Sequence, residues 1–374
     1  MKTFLCRLFL SSYAFSLTAV AFAQDTLFIG TYTGPKSEGI YKAYLDPKTG
    51  KIGDLSVAGK TSNPSFIALD TSRKLLFCVN EIGDFQGKKT GGVSSFKVDE
   101  NKNLSLISQS SSFGSYPCHL YLHPDGKSLL AANYGGGSFC RIQIAKNGKL
   151  SESPEGIQFK GTGPDRSRQE APHAHSALIA PDGKTALIAD LGTDKIHLYN
   201  LGDKLAPSQP ESLVLEPGSG PRHMAFHPSG KFLFVVNEMK STVTAFRWNP
   251  SAKDFKKLLT VGTLPAGFTS NNSTAEIITS ADGKTVYASN RGHNSIAVFH
   301  FDEVKESLEL KGHATENINT PRNFTLHPSQ KWLLVGNQGN NSIAVYKVNP
   351  DGSLTYHSLQ KDIPTPVCLR FWPS

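Results

Sequence analysis

Charge is scarce in this 374-residue chain, where only 19% of residues are Asp, Glu, Lys or Arg, and methionine and tryptophan are rarer still, at three each. With 33 Gly, 22 Pro, 22 Phe and 11 Tyr instead, the composition fits neither a disordered segment nor a long helical bundle. No stretch shows a convincing 3.6-residue apolar period. Beyond the first two dozen residues no apolar run approaches the ~20 residues that span a bilayer. Basic runs interleaved with aromatics are also missing, so no nucleic-acid partner is expected. What remains is an all-β chain rich in turns, long enough to bury a sizeable core.

The N-terminus stands apart. Met1-Lys2 and Arg7 flank an apolar run from Leu8 to Phe22 that ends in Ala21-Phe22-Ala23 before Gln24. This reads as a secretory signal over residues 1–23, removed to leave residues 24–374 as one domain in the periplasm or outside the cell. Cys6 lies within the signal and not at its end, which argues against a lipid anchor. Cleavage leaves Cys78, Cys118, Cys140 and Cys368 without any Cys-x-x-Cys pair, so disulfides and four small buried residues are both open readings. Loss of Lys2 and Arg7 lowers the formal charge from +8 to +6, with 37 basic against 31 acidic residues. That bias favours anionic ligands only mildly.

Self-similarity decides the architecture. The segment Gly220 to Glu238 (GPRHMAFHPSGKFLFVVNE) has relatives at Asn63 to Glu81, Tyr116 to Tyr134, Ala171 to Leu191, Ser273 to Arg291 and Thr320 to Gln338. Their shared lysines at 74, 127, 184, 231, 284 and 331 recur at a period near fifty, the mark of stacked or circular supersecondary units. Each unit reads as an alternating strand, a Pro-Asp-Gly-Lys-type turn, a second and a third strand, and usually a weaker fourth. Four antiparallel strands per unit make a propeller blade. Six copies leave complementary fragments at the two ends: Pro364 to Phe371 resembles a first strand, and Leu27 to Thr31 with Gly39 to Leu45 a second and third. Joined, they predict a seventh blade that closes the ring without a free edge. A closed ring predicts a monomer.

Within a blade the first two strands form a hairpin, so residues equidistant from its turn sit side by side at the open end. Arg222 and Glu238, each eight residues from Gly230, should therefore flank one another at a mouth of the central channel. The same counting gives two rings at that mouth, Ser65, Cys118, His175, Arg222, Ala275 and Arg322, and then Glu81, Tyr134, Leu191, Glu238, Arg291 and Gln338. Just before the second ring the sequence repeats Asn80, Asn133, Asp190, Asn237, Asn290 and Asn337, a position that suits side-chain bonding to nearby backbone. The ring residues vary on this fixed frame, as a site grafted on a repeat does.

The chain resembles the seven-bladed propeller lactonases, the 6-phosphogluconolactonase family related to fungal carboxymuconate cyclases. The likeness spans the whole mature chain. It is carried by Phe28-Ile-Gly-Thr-Tyr-Thr33, Pro172-His-Ala-His-Ser176, Gly220 to Pro228, Val236-Asn-Glu238, Ala275-Glu-Ile277 and Ser289 to Phe299. The resemblance implies catalytic residues at His173 or His175, Arg222, Glu238 and Arg291.

Opening a lactone needs an activated water and a holder for the developing oxyanion. Glu238 or His175 is the expected base, and Arg222 or Arg291 the oxyanion holder, with Arg322 on a phosphate or carboxylate. His173, Tyr134, Gln338 and Glu276 are the further expected substrate contacts. By strand alternation Glu276 should face away from the ring unless a bulge turns it inward. His173 and His175 alternate, so their imidazoles should point the same way; no third metal ligand is identifiable, and neither metal nor cofactor is expected. No Gly-x-Ser-x-Gly elbow is present, which argues against a serine nucleophile. Each site residue also has a structural reading, Arg222 and Glu238 as a strand-tethering ion pair above all. The recurrent His123, His227 and His327 read as framework partners. The expected function is hydrolysis of a small anionic sugar lactone. The alternatives are a non-catalytic exported propeller that binds a sugar acid or partner protein, and a muconate-type lactonising cycloisomerase.

Overall fold

A computed structural model describes residues 25–372. The expected secretory signal at residues 1–23 lies outside the described residues. Seven four-stranded antiparallel sheets stand in a ring, a seven-bladed propeller. We number the blades from the one holding the N-terminal strand. The innermost strands, which line the channel, are Pro366–Trp372 in blade I, Ile67–Asp70 in II, Pro117–Leu122 in III, Ala174–Ile179 in IV, Pro221–Phe226 in V, Ser273–Thr279 in VI and Pro321–Leu326 in VII. The only helical turn among the described residues is the short 3-10 segment Leu191–Thr193.

Blade I is built from both ends of the chain. Its innermost strand Pro366–Trp372 pairs antiparallel with Asp25–Thr31, from Thr26 opposite Trp372 to Gly30 opposite Cys368. The seam is locked again outside the sheet, where His327 Nε2 of blade VII meets Asp25 Oδ2 at 2.8 Å and Trp332 Nε1 donates to the Pro47 carbonyl at 2.9 Å. Pairing of the two chain ends within one sheet closes the ring without an open seam between first and last blades, which helps a ring of separately weak blades hold together.

The core lies between neighbouring blades. Leu27, Ile29 and Leu369 of blade I pack on Leu334, Ile343 and Val345 of blade VII, and Phe234 and Val236 of blade V on Ile277, Val286 and Phe299 of blade VI. The alternating pattern of each strand puts its two faces against different neighbours, so burial of both faces drives stacking. Recurrent polar residues fix the spacing. His123 of blade III donates from Nε2 to the Gly183 carbonyl of blade IV at 3.0 Å. His227 of blade V sits so close over the turn of blade VI that a Cβ at Gly283 (φ +75°) would lie 2.0 Å from its Nε2; only glycine fits there.

In five of its six copies the repeated Asn/Asp position ties the top of the second strand to the segment entering the blade; Asn237 instead donates to Thr242 and Thr244 of its own third strand. Asn80 donates to the Ser62 carbonyl, Asn133 to Ser112, Asn290 to Thr263 and Asn337 to Asn317, at 2.7–2.9 Å. Asp190 accepts from the backbone N–H groups of His173 and Gly192. The four cysteines among the described residues, Cys78, Cys118, Cys140 and Cys368, are free and buried, as the packing reading has it.

Candidate active site at one mouth of the channel

A register shift recurs where the innermost strand meets the second. It falls between Pro117 and His119, Ala174 and Ser176, Pro221 and His223, Thr274 and Ile277, and Pro321 and Asn323. The residues skipped by the pairing are Cys118, His175, Arg222, Ala275 with Glu276, and Arg322. A bulge re-aims a side chain and breaks strict alternation, so the skipped residue and its successor both reach the channel. Five of the six positions of the first ring expected from sequence are thus bulges, and the sixth, Ser65, lies just ahead of the strand Ile67–Asp70, which pairs without a shift.

Arg222 and Glu238 meet as the hairpin symmetry requires. Arg222 Nε lies 2.9 Å from Glu238 Oε2, an ionic contact whose N–H is not aimed at the oxygen, while Arg222 Nη1 donates to the Ala275 carbonyl at 2.5 Å. Arg291 Nη2 approaches the same Oε2 at 3.0 Å and donates to the Thr274 carbonyl at 2.9 Å. The third partner is Arg168, whose Nη2 donates to Glu238 Oε1 at 2.6 Å. Burial alone would raise the Glu238 pKa, but Arg291, Arg222 and Arg168 outweigh it and hold it at about 2. For Arg291, burial and then the neighbouring Arg222 bring its pKa down to about 10; it stays charged at neutral pH.

Across the mouth a second carboxylate is held differently. Glu81 Oε2 accepts from Ser65 Oγ at 2.5 Å and from Tyr32 Oη at 2.9 Å. The Tyr32 hydroxyl in turn accepts from Arg322 Nη2 at 2.8 Å. Among the described residues no basic side chain comes within ion-pair distance of Glu81, and no carboxylate comes within ion-pair distance of Arg322.

Tyr134 and the two histidines form the third wall. His173 stacks on the Tyr134 ring (centroids 4.5 Å, 20°) and His175 meets it edge-on (5.4 Å, 74°). Their nitrogens do not converge. His173 Nδ1 donates to the Tyr134 carbonyl and its Nε2 lies 3.1 Å from Glu170 Oε1, whereas His175 Nδ1 lies 3.7 Å from Cys118 Sγ. The expectation of two imidazoles pointing the same way from one strand is corrected: the strand starts at Ala174 and the bulge follows it. Burial, and after it the charge of Arg222, hold the His175 pKa well below its usual value, so the ring is neutral.

Glu276 is turned inward by its bulge but belongs to a deeper layer. It accepts from His223 Nδ1 at 2.8 Å and from Asn323 Nδ2, and the ring of His223 meets those of His119 and His175. It does not join the arginine cluster. Gln338 is the ring member that the structure leaves apart. Its backbone N–H bonds to the Thr320 carbonyl, and its side chain bonds to none of the cluster. Sequence reasoning missed Arg168, which lies in the connection between blades III and IV outside every repeat copy. It named Glu81 only as a ring position and passed over His223 and Asn323, which follow the bulges.

The opposite mouth is chemically different, a cavity of about 590 Å³ lined mainly by apolar groups such as Phe66, Tyr121, Leu178 and Ile278, with Arg370 beside them. A larger hollow of about 690 Å³ lies outside the channel between blades VI and VII, around Val298, His313 and Leu354. Neither gathers the charge found at the mouth of Arg222.

This fold has counterparts. The family model described as "Lactonase, 7-bladed beta-propeller" matches residues 26–371, so the chain belongs to the seven-bladed β-propeller lactonase family. It is 32% identical to a 6-phosphogluconolactonase of Bacillus subtilis over 92% of this chain and 97% of that one. The solved periplasmic gluconolactonase of Pseudomonas aeruginosa is 28% identical with a TM-score of 0.88, over 93% of this chain and 99% of that one. A Bacteroides fragilis crystal structure is 35% identical with a TM-score of 0.86, over 96% of this chain and 100% of that one.

Proposed function

We propose that this protein hydrolyses a sugar-acid lactone at the mouth formed by blades I to VII around Arg222. The observation that carries the reading is a surplus of positive charge. At the mouth Arg168, Arg222, Arg291 and Arg322 face Glu81 and Glu238; Glu276, a layer deeper, is shared between Arg222 and Arg370, and Glu170 lies on the rim beside His173 and Arg168. A water-poor pocket with unbalanced guanidinium groups favours an anionic ligand and, more strongly, the oxyanion that develops when a lactone carbonyl is attacked.

Arg222 and Arg291, fixed by Glu238 and by backbone carbonyls, are the oxyanion holders of this reading. Glu238 has its charge spread over three guanidiniums, and its low pKa makes it a weak base; it acts by holding the arginines in place. His175 and Tyr134 shape the wall against which the sugar ring packs, with His173 behind them. Arg322 has donors left over from its bond to Tyr32 and holds a phosphate or carboxylate on the substrate. Export of the mature chain, supported by the Lys2 to Ala23 pattern and by the periplasmic neighbour, favours an unphosphorylated aldonic or other acidic lactone over a cytosolic phosphosugar.

The test is acid release by the purified mature protein with gluconolactone and with 6-phosphogluconolactone, above the spontaneous rate, beside Arg222→Ala. Turnover that the variant loses supports the reading. Wild-type protein that is folded and turns over neither compound contradicts it.

A further inference from the structure

The lactone-opening reading leaves a chemical gap, because neither carboxylate nor imidazole assigned to it so far is a good proton acceptor. Glu238 is occupied on both oxygens by guanidinium groups. His175 is a buried imidazole facing Arg222 and Arg322, whose charges oppose protonation. Attack by neutral water without a base is slow, and a positioned base contributes about 10²–10⁴-fold.

Glu81 has the opposite circumstances. Its Oε2 is fixed by two hydroxyls, from Ser65 and Tyr32, while Oε1 has no hydrogen-bond partner among the described residues. Two hydroxyl donors orient a carboxylate without neutralising it. The groups facing it are Tyr32, Arg322 and Cys118, with Arg222 across the adjoining cavity; burial raises the pKa of both the Tyr32 phenol and the Cys118 thiol, so both are neutral, and the nearby charges are those of the two arginines, neither within ion-pair distance of Glu81. Beside Glu81 lies a small, partly open cavity lined by Ser65, Cys118, Arg222, His223 and Arg322, with room of about 10 Å³ for the centre of one water. That is the space of one water site, and its polar walls meet the requirement of two to four partners. His223 Nε2 is buried without a partner, on a residue of the same lining.

We infer that Glu81 is the general base of this site, taking a proton through Oε1 from a water held in the cavity between Glu81 and Arg222; the inference rests on the lactone-opening reading. As the water oxygen bonds to the lactone carbonyl carbon, its proton passes to Glu81 and the carbonyl π electrons move to oxygen, facing Arg222. Collapse of that intermediate breaks the bond from the carbonyl carbon to the ring oxygen. The leaving ring oxygen takes the proton from Glu81, and the new carboxylic acid gives its own proton to solvent. Lactone and water are consumed, and hydroxy-carboxylate and one proton are produced.

The experiment compares wild type, Glu81→Gln and Glu81→Ala on the lactone that wild type turns over, as kcat and KM against pH, with and without added formate. The expected result is a kcat lower by about 10²–10⁴-fold in both variants with KM changed little. The fall of wild-type activity toward acid pH disappears in Glu81→Gln, and formate restores part of the rate in Glu81→Ala. A merely structural glutamate would not be replaced by a free carboxylate. Glu81→Gln with kcat and its acid limb intact, or folded Glu81→Ala that formate does not rescue, overturns the inference. If wild type itself opens no lactone, the functional reading fails instead.

Discussion

The mouth of the channel holds two carboxylates at the same repeat position, and their surroundings could hardly differ more. Val235-Val-Asn-Glu238 in blade V and Cys78-Val-Asn-Glu81 in blade II are near copies that end their second strands alike. Glu238 sits among Arg168, Arg222 and Arg291; Glu81 sits among Ser65 and Tyr32 with one oxygen unoccupied. One blade frame thus yields a carboxylate that anchors cations and another left able to accept a proton. The difference arises from the partner that each blade's own first strand supplies and from the neighbours: a bulged Arg222 with Arg291 of blade VI and Arg168 beside one, Ser65 with Tyr32 of blade I beside the other.

The contrast breaks most visibly at Glu238. Glu238→Gln leaves three guanidinium groups without their buried counter-charge, and removal of one partner from such a cluster costs about 3–5 kcal/mol; denaturant unfolding should show a loss of this size. Next in size is Arg322→Gln, which removes a charge-assisted contact worth about 1.5–3 kcal/mol to an anionic substrate group. Its KM for a phosphorylated or carboxylated lactone should rise by about 10–100-fold, with a much smaller change for a neutral lactone. Initial-rate kinetics on the pair of substrates distinguish the two.

Asn290 sharpens the comparison from the structural side. It is buried, and its side chain is bonded to Thr263, Asn272 and Ser295 and to none of the arginines. Asn290→Ala should cost about 1–3 kcal/mol of stability while kcat stays that of wild type, as read by melting and by turnover.

Acid pH probes the surroundings of Glu238 directly. In the folded protein Glu238 has a pKa of about 2 against an ordinary 4.5, so the unfolded chain binds the proton first. Its contribution to stability is therefore fully present above about pH 4.5 and is lost as the pH falls toward 2. The unfolding free energy of wild type should decline across that window more steeply than that of Glu238→Gln. The smallest expected effect is that of Tyr134→Phe: its hydroxyl accepts from Arg168 at 3.4 Å, a long bond at the rim, and the stacking on His173 remains. Turnover within about threefold of wild type is expected.

The same comparison shows what a sequence reader can reach. Seven blades, the two-ended seam and the adjacency of Arg222 and Glu238 follow from repeat spacing and hairpin symmetry, because both are properties of the periodic frame. Arg168 could not be reached in this way, since the connection that carries it has no counterpart in other copies and nothing in its residues says where they return to the channel. The inward turn of Glu276, and the places of His223 and Asn323, depend on bulges that shift the register by one residue. A period of two extrapolated through a bulge puts the side chain on the wrong face. The different fates of Glu81 and Glu238 are legible only once the partners are known, as the tetrapeptides ending in them are nearly the same.

The most direct test of this division of labour is to measure turnover and unfolding free energy side by side for Glu81→Gln and Glu238→Gln. The account predicts that Glu81→Gln stays close to wild-type stability while its kcat collapses, and that Glu238→Gln loses several kcal/mol of stability. Equal destabilisation of the two variants, or a Glu81→Gln protein that turns over lactone at the wild-type rate, would contradict it.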